Sequence, residues 1–340
     1  MAMVSHVTQA LRCLVEGRDL SATEADATMR EVMGGQVSPT LLAALLVAWR
    51  MKGETVDELI GAARALRAYA DRIEPSRPVI DTCGTGGDGR GTFNISTAAA
   101  LIAAAAGAAV AKHGNRAVSG KVGGADILEA LGVRIDLPPE AVRACIESTG
   151  FGFLFAPRFH PAMRHVAAVR RELGLRTIFN LLGPLANPAG ARRQVVGVFG
   201  REWLEPVARA LGALGAEHAM VVHSEDGLDE ISLSARTFVC EWRDGAVRAW
   251  TLDPALWGFS VYPPDAFVCA DLEEAVQRMR SVLRGEPGPC TEVAQLNAAA
   301  ALYVAGMAPA IEHGIVLART AVAQGLAWEK LQEVVRCTNR

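Results

Sequence analysis

Over the first seventy or so residues the apolar positions recur every three or four residues and never alternate, which predicts helices only. "SATE", Ser21 to Glu24, is a capping box whose helix would stop at Gly34 and Gly35. In "SPTLLAALLVAWRMKG" Ser38 is the cap, Pro39 lies in the first turn and Gly53 terminates; "TVDE", Thr55 to Glu58, opens another helix. Leu41, Leu42, Leu45, Leu46 and Trp49 make a helical stripe expected in the core or at a subunit interface.

From Pro78 the pattern becomes strand, loop, helix, strand: "PVIDTCG", a helix over Ser96 to Ala106, then "AAVAKHGN" from Ala108 to Asn115, a parallel β-α-β unit. The strand-like runs "FGFLFAP", "QVVGVFG" and "HAMVVHSE" alternate with helical patterns, which predicts a helix-flanked sheet. "RTFVCEWRDGAVRAWTL" breaks the alternation with an antiparallel hairpin turning at Asp244 and Gly245, and helices fill the chain from Asp271 onward.

The loop after the first strand carries five glycines between Gly84 and Gly91. Gly84, Gly86 and Gly89 satisfy G-x-G-x-x-G, the spacing of a dinucleotide site. That site needs an acid at the end of the second strand to hold a ribose, and here the strand runs into Lys112, His113 and Arg116. Cations there suit further phosphate. Strand before and helix after bring backbone N–H groups and a positive helix end together as an anion site, with Thr92, Asn94, Ser96 and Thr97 as added donors. "KHGNRAVSGKVGGADILEALG" repeats the device with Lys112, Arg116 and Lys121. "SEDGLDEIS" then brings Glu225, Asp226, Asp229 and Glu230 to one loop; beside a polyphosphate site such acids suit magnesium, which binds one or two carboxylates and keeps waters and phosphate oxygens.

Composition narrows the classes. A chain of 340 residues, 51% hydrophobic, predicts a folded globular protein of two domains or of one with a large appendage. A net charge of −3 argues against a nucleic-acid coat, and seven scattered cysteines without a C-x-x-C pair predict reduced thiols in a cytoplasm. No leader or membrane span is expected; the longest apolar run, Ala98 to Ala111, is too short and is broken at Gly107.

Four segments in order, "GTGGD" with "TFNIST", "KHGNRAVSG" with "ADILEALG", "FAPRFHPAMRHVAAVRRELGLRTIFNLLGPLANPA", and "GLDE", resemble the anthranilate phosphoribosyltransferases of the nucleoside-phosphorylase-like class. The resemblance implies a small N-terminal all-helical domain, residues 1–74, completed by helices near 175–190. It implies a larger α/β domain, 75–340, with a mostly parallel central sheet flanked by helices. It further implies a homodimer through the helical part, and phosphoribosyl transfer from 5-phosphoribosyl 1-diphosphate (PRPP) to anthranilate, with Mg2+, no nucleic acid and no membrane.

Carried onto this chain, the PRPP site falls on Gly84, Gly87, Asp88, Thr92, Asn94, Ile95, Ser96 and Thr97. It continues over Lys112, His113, Gly114, Asn115, Arg116, Ala117, Val118, Ser119, Gly120 and Gly124. Magnesium falls on Ser96, Asp229 and Glu230, and anthranilate on Gly84, Asn115 and Arg170, with "APRFHP" walling its channel. Family members commonly read G-S-A-D where this chain has Gly123 to Asp126, so a serine donor is missing at Gly124. No acid or base is assigned. A nucleoside phosphorylase and a non-catalytic nucleic-acid-binding relative are the other readings of such a fold.

Overall fold

The computed structural model describes residues 5–117 and 122–340. The chain opens with four helices, α1 (His6–Val15), α2 (Ala22–Met33), α3 (Pro39–Lys52) and α4 (Val56–Ala68). Both capping boxes form, Ser21 with Glu24 and Thr55 with Glu58, and Ser38, Pro39 and Gly53 bound α3. Glu58 does more than cap: fully buried, it also accepts from the Leu20 N–H at 2.9 Å and pairs with Lys52 at 2.8 Å, which ties the α1–α2 connection to α4. Leu42, Leu45, Leu46 and Trp49 are buried within the chain's own core.

The α/β part follows as β1 (Ile80–Gly84), α5 (Ile95–Ala105), β2 (Val110–Gly114), α6 (Gly124–Ala130), α7 (Pro139–Thr149) and β3 (Phe151–Phe155). A helical excursion, α8 (Ala156–Phe159), α9 (Arg164–Leu173) and α10 (Phe179–Leu185), leads to β4 (Arg193–Gly197), α11 (Leu204–Ala213) and β5 (His218–Ser224). The hairpin β6 (Thr237–Arg243) and β7 (Ala246–Leu252) precedes α12 (Leu272–Leu283), α13 (Pro289–Val304), α14 (Ile311–Ala323) and α15 (Leu326–Thr338).

One seven-stranded sheet runs β3-β2-β1-β4-β5-β6-β7, parallel through β5 and antiparallel beyond. Asp244 and Gly245 both take positive φ, 53° and 78°, as the hairpin turn requires. Strand order reverses direction between β1 and β4, so the crevice at their carboxyl ends is the place where such sheets bind ligands.

Each face of the sheet is covered. On one side α5 packs with α13, and both carry alanine runs, Ala98–Ala100 and Ala298–Ala301, that let helix backbones come close. On the other side the four N-terminal helices, Ala162 to Ala186 and α11 share one continuous apolar cluster with Cys83, Val196 and Val221 of the sheet. The expected helical part with a helix-flanked, mostly parallel sheet is therefore what forms. The seven cysteines are free thiols, and no helix among the described residues is long and apolar enough to cross a membrane.

Candidate active site

At the carboxyl end of β1 the chain turns through Gly86, Gly87, Gly89 and Gly91, all left-handed at φ of 64°, 78°, 72° and 65°, a conformation that a Cβ disfavours. Three contacts pin this loop. The Gly86 N–H donates to Asp229 Oδ2 at 2.9 Å, Arg90 donates to the Asp226 carbonyl, and Arg176, stacked 4.4 Å over Phe199, donates to the Gly87 carbonyl. Beyond it Phe93 N–H bonds the Phe267 carbonyl and Thr92 bridges Val268, so the chain enters α5 from a fixed point.

Asn94 caps α5, its Oδ1 accepting from the Thr97 N–H at 3.2 Å and from the Thr97 hydroxyl. Thr97 is fully buried, and its hydroxyl, expected from the sequence to donate to a ligand, is turned onto the Asn94 cap. Ile95 is likewise core, and only its backbone could serve a ligand. Ser96 faces the site: its hydroxyl and N–H reach the Glu230 carboxylate, and its hydroxyl also receives Lys112 Nζ at 3.1 Å.

The four acids of the β5–β6 connection divide by task. Glu225 pairs with Arg236 at 2.8 Å, and Asp226 accepts from the Ser232 hydroxyl at 2.8 Å, so these two shape the turn. Asp229 and Glu230 face the glycine loop. The Asp229 backbone crosses so close to Gly197 that a Cβ there would lie 1.5 Å from its carbonyl oxygen, which places the acid over the end of β4. Burial, then repulsion from Asp88 and Glu230, holds the Asp229 carboxyl well above the usual range. Glu230 is pushed up to about 7, chiefly by burial and against the pull of Lys112. Two carboxylates that resist ionisation beside Ser96 call for a cation. Among the described residues no three His, Cys, Asp or Glu side chains form a metal cage, so this donor set fits an ion that keeps water or phosphate ligands, as magnesium does.

Lys112 and His113 are buried at the end of β2, while Asn115 is exposed. His113 Nδ1 lies 3.1 Å from the Gly183 carbonyl, and its ring stands 5.0 Å from that of His160. His113 Nε2 has no partner among the described residues. Burial depresses the two imidazoles to about 3 and about 4, so both are neutral. Arg116 spans Asp126 and Glu129 at 2.9 and 2.7 Å, and Asp126 also accepts from the Ala117 and Gly123 N–H groups at 3.1 and 2.9 Å. Val118, Ser119, Gly120 and Lys121 lie outside the described residues. Gly124 opens α6 without positive φ.

Arg170, unremarkable in sequence, is partly buried with its cation 5.2 Å over the Phe179 ring. Burial lowers its pKa, and no acid among the described residues pairs with it. A guanidinium left this way is a receptor for a planar carboxylate. "APRFHP" forms α8 and turns at buried His160, with Phe159 in the core.

Sequence reasoning missed Asp81, Asn187, Arg90 and Arg176. Asp81 was the findable one: an acid inside an apolar strand must have partners. The arginines give no such signal, since their acceptors are backbone carbonyls far along the chain.

The fold and site have close relatives. Residues 76–328 match the glycosyl transferase family a/b domain and residues 8–70 the glycosyl transferase family helical bundle domain. The chain is 52% identical over 331 residues to an anthranilate phosphoribosyltransferase of Thioalkalivibrio sulfidiphilus, covering 97% of this chain and 98% of that one. The crystal structure of anthranilate phosphoribosyltransferase from Thermus thermophilus superposes with a TM-score of 0.92 at 47% identity, over 97% of this chain and 99% of that one. The Saccharomyces cerevisiae enzyme, in complex with PRPP and Mg, matches with a TM-score of 0.90 at 25% identity over 98% of each chain. With these matches spanning nearly its whole length, the chain belongs to the anthranilate phosphoribosyltransferase family.

Proposed function

We propose that this protein transfers the phosphoribosyl group of PRPP to the amine of anthranilate, giving N-(5-phosphoribosyl)anthranilate and diphosphate in tryptophan biosynthesis. The observation that carries this reading is the meeting of a left-handed glycine loop with buried Asp229 and half-buried Glu230 at the carboxyl end of β1. The loop N–H groups and Ser96 take the diphosphate end of PRPP, with Lys112 behind Ser96 as a buried cation, and the other residues assigned from the sequence surround it, Ile95 by its backbone and Thr97 only through its contact with Asn94. Ser96, Asp229 and Glu230 hold Mg2+, which when bound supplies charge neutralisation to the leaving diphosphate. Arg170 takes the anthranilate carboxylate in a forked pair and, with Asn115 and the backbone at Gly84, aims the amine at the ribose carbon.

As diphosphate departs, positive charge grows on the ribose ring, so catalysis rests on neutralising the leaving group and positioning the nucleophile. An aromatic amine is neutral at working pH and needs no side-chain base to attack; the proton it sheds once bonded to the ribose carbon passes to the substrate's own neighbouring carboxylate or to solvent. The two neutral histidines add no cation beside the developing positive charge.

The protein acts in the cytoplasm as a homodimer and binds no nucleic acid. Val15 on α1 and Met51 on α3, 72% and 83% exposed, support a second copy seated on the helical part. The domain division at residue 74 rests on the change from helical to strand pattern, and the cluster joining the N-terminal helices to Ile178–Ala186 supports completion of the small domain by the chain near 175–190.

The test is fluorescence-monitored consumption of anthranilate with PRPP and Mg2+. Turnover is expected, and its absence in folded protein sinks the assignment. Replacing the pair with inorganic phosphate and a nucleoside should give none.

A further inference from the structure

Two neighbouring strands of this sheet stop pairing where a ladder would be expected to continue. β1 pairs with β4 over five residues and β2 with β3 over five, whereas β1 and β2 share one register pair, Ile80 with Val110. Continued in register, Asp81 and Thr82 would stand opposite Ala111 and Lys112. Side chains occupy that gap instead. Asn187 Nδ2 donates to the Ala111 carbonyl and to Asp81 Oδ2, each at 2.8 Å. Asp81 Oδ1 accepts from the His113 N–H at 3.1 Å, and Lys112 Nζ donates to the Thr82 carbonyl. Asn187 is itself fixed, its Oδ1 accepting from the Ala189 N–H at 2.8 Å.

Asp81 is 0% and Asn187 3% exposed, so neither can touch a substrate. Burying a carboxylate merely to join two strands is costly when ordinary backbone bonds would join them. Burial pushes the Asp81 carboxyl up, and Lys112, Asn187 and the His113 N–H pull it back. What the arrangement adds is a side-chain linkage in place of the ladder, so that Asp81 and Asn187 set the relation of the two strands. The strands linked here carry the glycine-rich loop on β1 and His113 to Asn115 on β2, the two sides between which a transferred group must lie.

We propose that Asp81 and Asn187 are positioning residues that hold β1 and β2 in the relation the transfer reaction needs. The role rests on the reaction proposed above. It is separable from it, because a wrong reaction shows in the wild type and a wrong positioning role only in the variants.

The experiment compares wild type, Asp81→Asn and Asn187→Ala by steady-state kinetics in both substrates, with circular dichroism and thermal melts alongside. Asp81→Asn keeps the shape, but both oxygens now accept from N–H donors, so its new amide must turn a donor toward a donor. The expected result is folded variants whose kcat falls about tenfold or more while both KM values stay within about threefold, the mark of lost alignment with substrate binding retained. Folded variants with kcat within about twofold of wild type overturn the proposal. So does activity that returns in full once each variant is assayed well below its own melting temperature, since only stability was then lost. Should Asp81→Asn not fold, Asn187→Ala carries the same comparison. A wild type without turnover removes the reaction and the positioning role together.

Discussion

His113 and His160 should make this protein sensitive to mild acid, and the size of the effect follows from their burial. Both are depressed by desolvation, to about 3 and about 4, while in the unfolded chain each titrates near its ordinary 6.5. A depressed histidine contributes stability above the unfolded pKa that is lost as pH falls through it toward the folded one. Between pH 7.5 and pH 5 the unfolded chain therefore gains nearly two protons that the folded chain refuses, worth about 2 kcal/mol per ring and about 4 kcal/mol together. At about 2.1 cal/mol/K per residue, 340 residues give an unfolding entropy near 0.7 kcal/mol/K, so the melting temperature should drop by roughly 6 °C over that interval. Calorimetry from pH 7.5 to 5 on wild type and on His113→Gln with His160→Gln measures it. Carboxylates titrate equally in both proteins, so the wild type should show the steeper fall. Equal slopes, or ring resonances of either histidine titrating above about pH 5.5, would refute the reasoning.

Asp229→Asn with Glu230→Gln should abolish most turnover and the magnesium dependence of PRPP binding while the fold persists; retained wild-type magnesium dependence would make the acids a mere turn. Arg170→Ala should raise KM for anthranilate roughly ten- to a hundredfold, the loss of a charge-assisted pair of about 1.5–3 kcal/mol, with KM for PRPP nearly unchanged. An equal rise in both would place Arg170 elsewhere or couple the two sites. Gly124→Ser meets no positive-φ penalty, but its Cβ would lie 3.1 Å from Thr97 Oγ1 and 3.5 Å from Asn94 Oδ1, the pair that caps α5. The new hydroxyl's gain of about 0.5–1.5 kcal/mol is thus partly offset by moving that cap, and PRPP affinity should shift by less than about threefold. A tenfold change in either direction, or any shift confined to anthranilate, contradicts this.

Local chemistry made much of the fold readable. Ser21, Ser38 and Thr55 announce their helices through side-chain caps, and Asp244–Gly245 announces its turn through the conformations it tolerates. The case against a dinucleotide site at the glycine-rich loop was legible because the residues that make it, Lys112 and His113, lie within one β-α-β unit. Other features were not legible, for a common reason. The split between β1 and β2 depends on Asn187, 106 residues from Asp81, and the inward turn of Thr97 depends on Asn94 capping in preference to facing outward. Nor does the acidic run say which two of its four acids face the site; Arg236 and Ser232 decide that by taking Glu225 and Asp226.

The excursion from β3 to β4 also bears on how the chain is made. α1 to α4 share their apolar cluster with Ala162 to Ala186 and with sheet residues as late as Cys240. A nascent chain emerging at about 5–20 residues per second thus holds its first four helices without their covering partners for several seconds. During that interval a chaperone, or a neighbouring nascent chain, meets the same surfaces that later close over α9 and α10. A fragment ending at residue 74 would keep them open permanently and should associate or aggregate, so the amino-terminal helices, although first to be synthesised, complete their burial only after the chain as far as β6 has followed them.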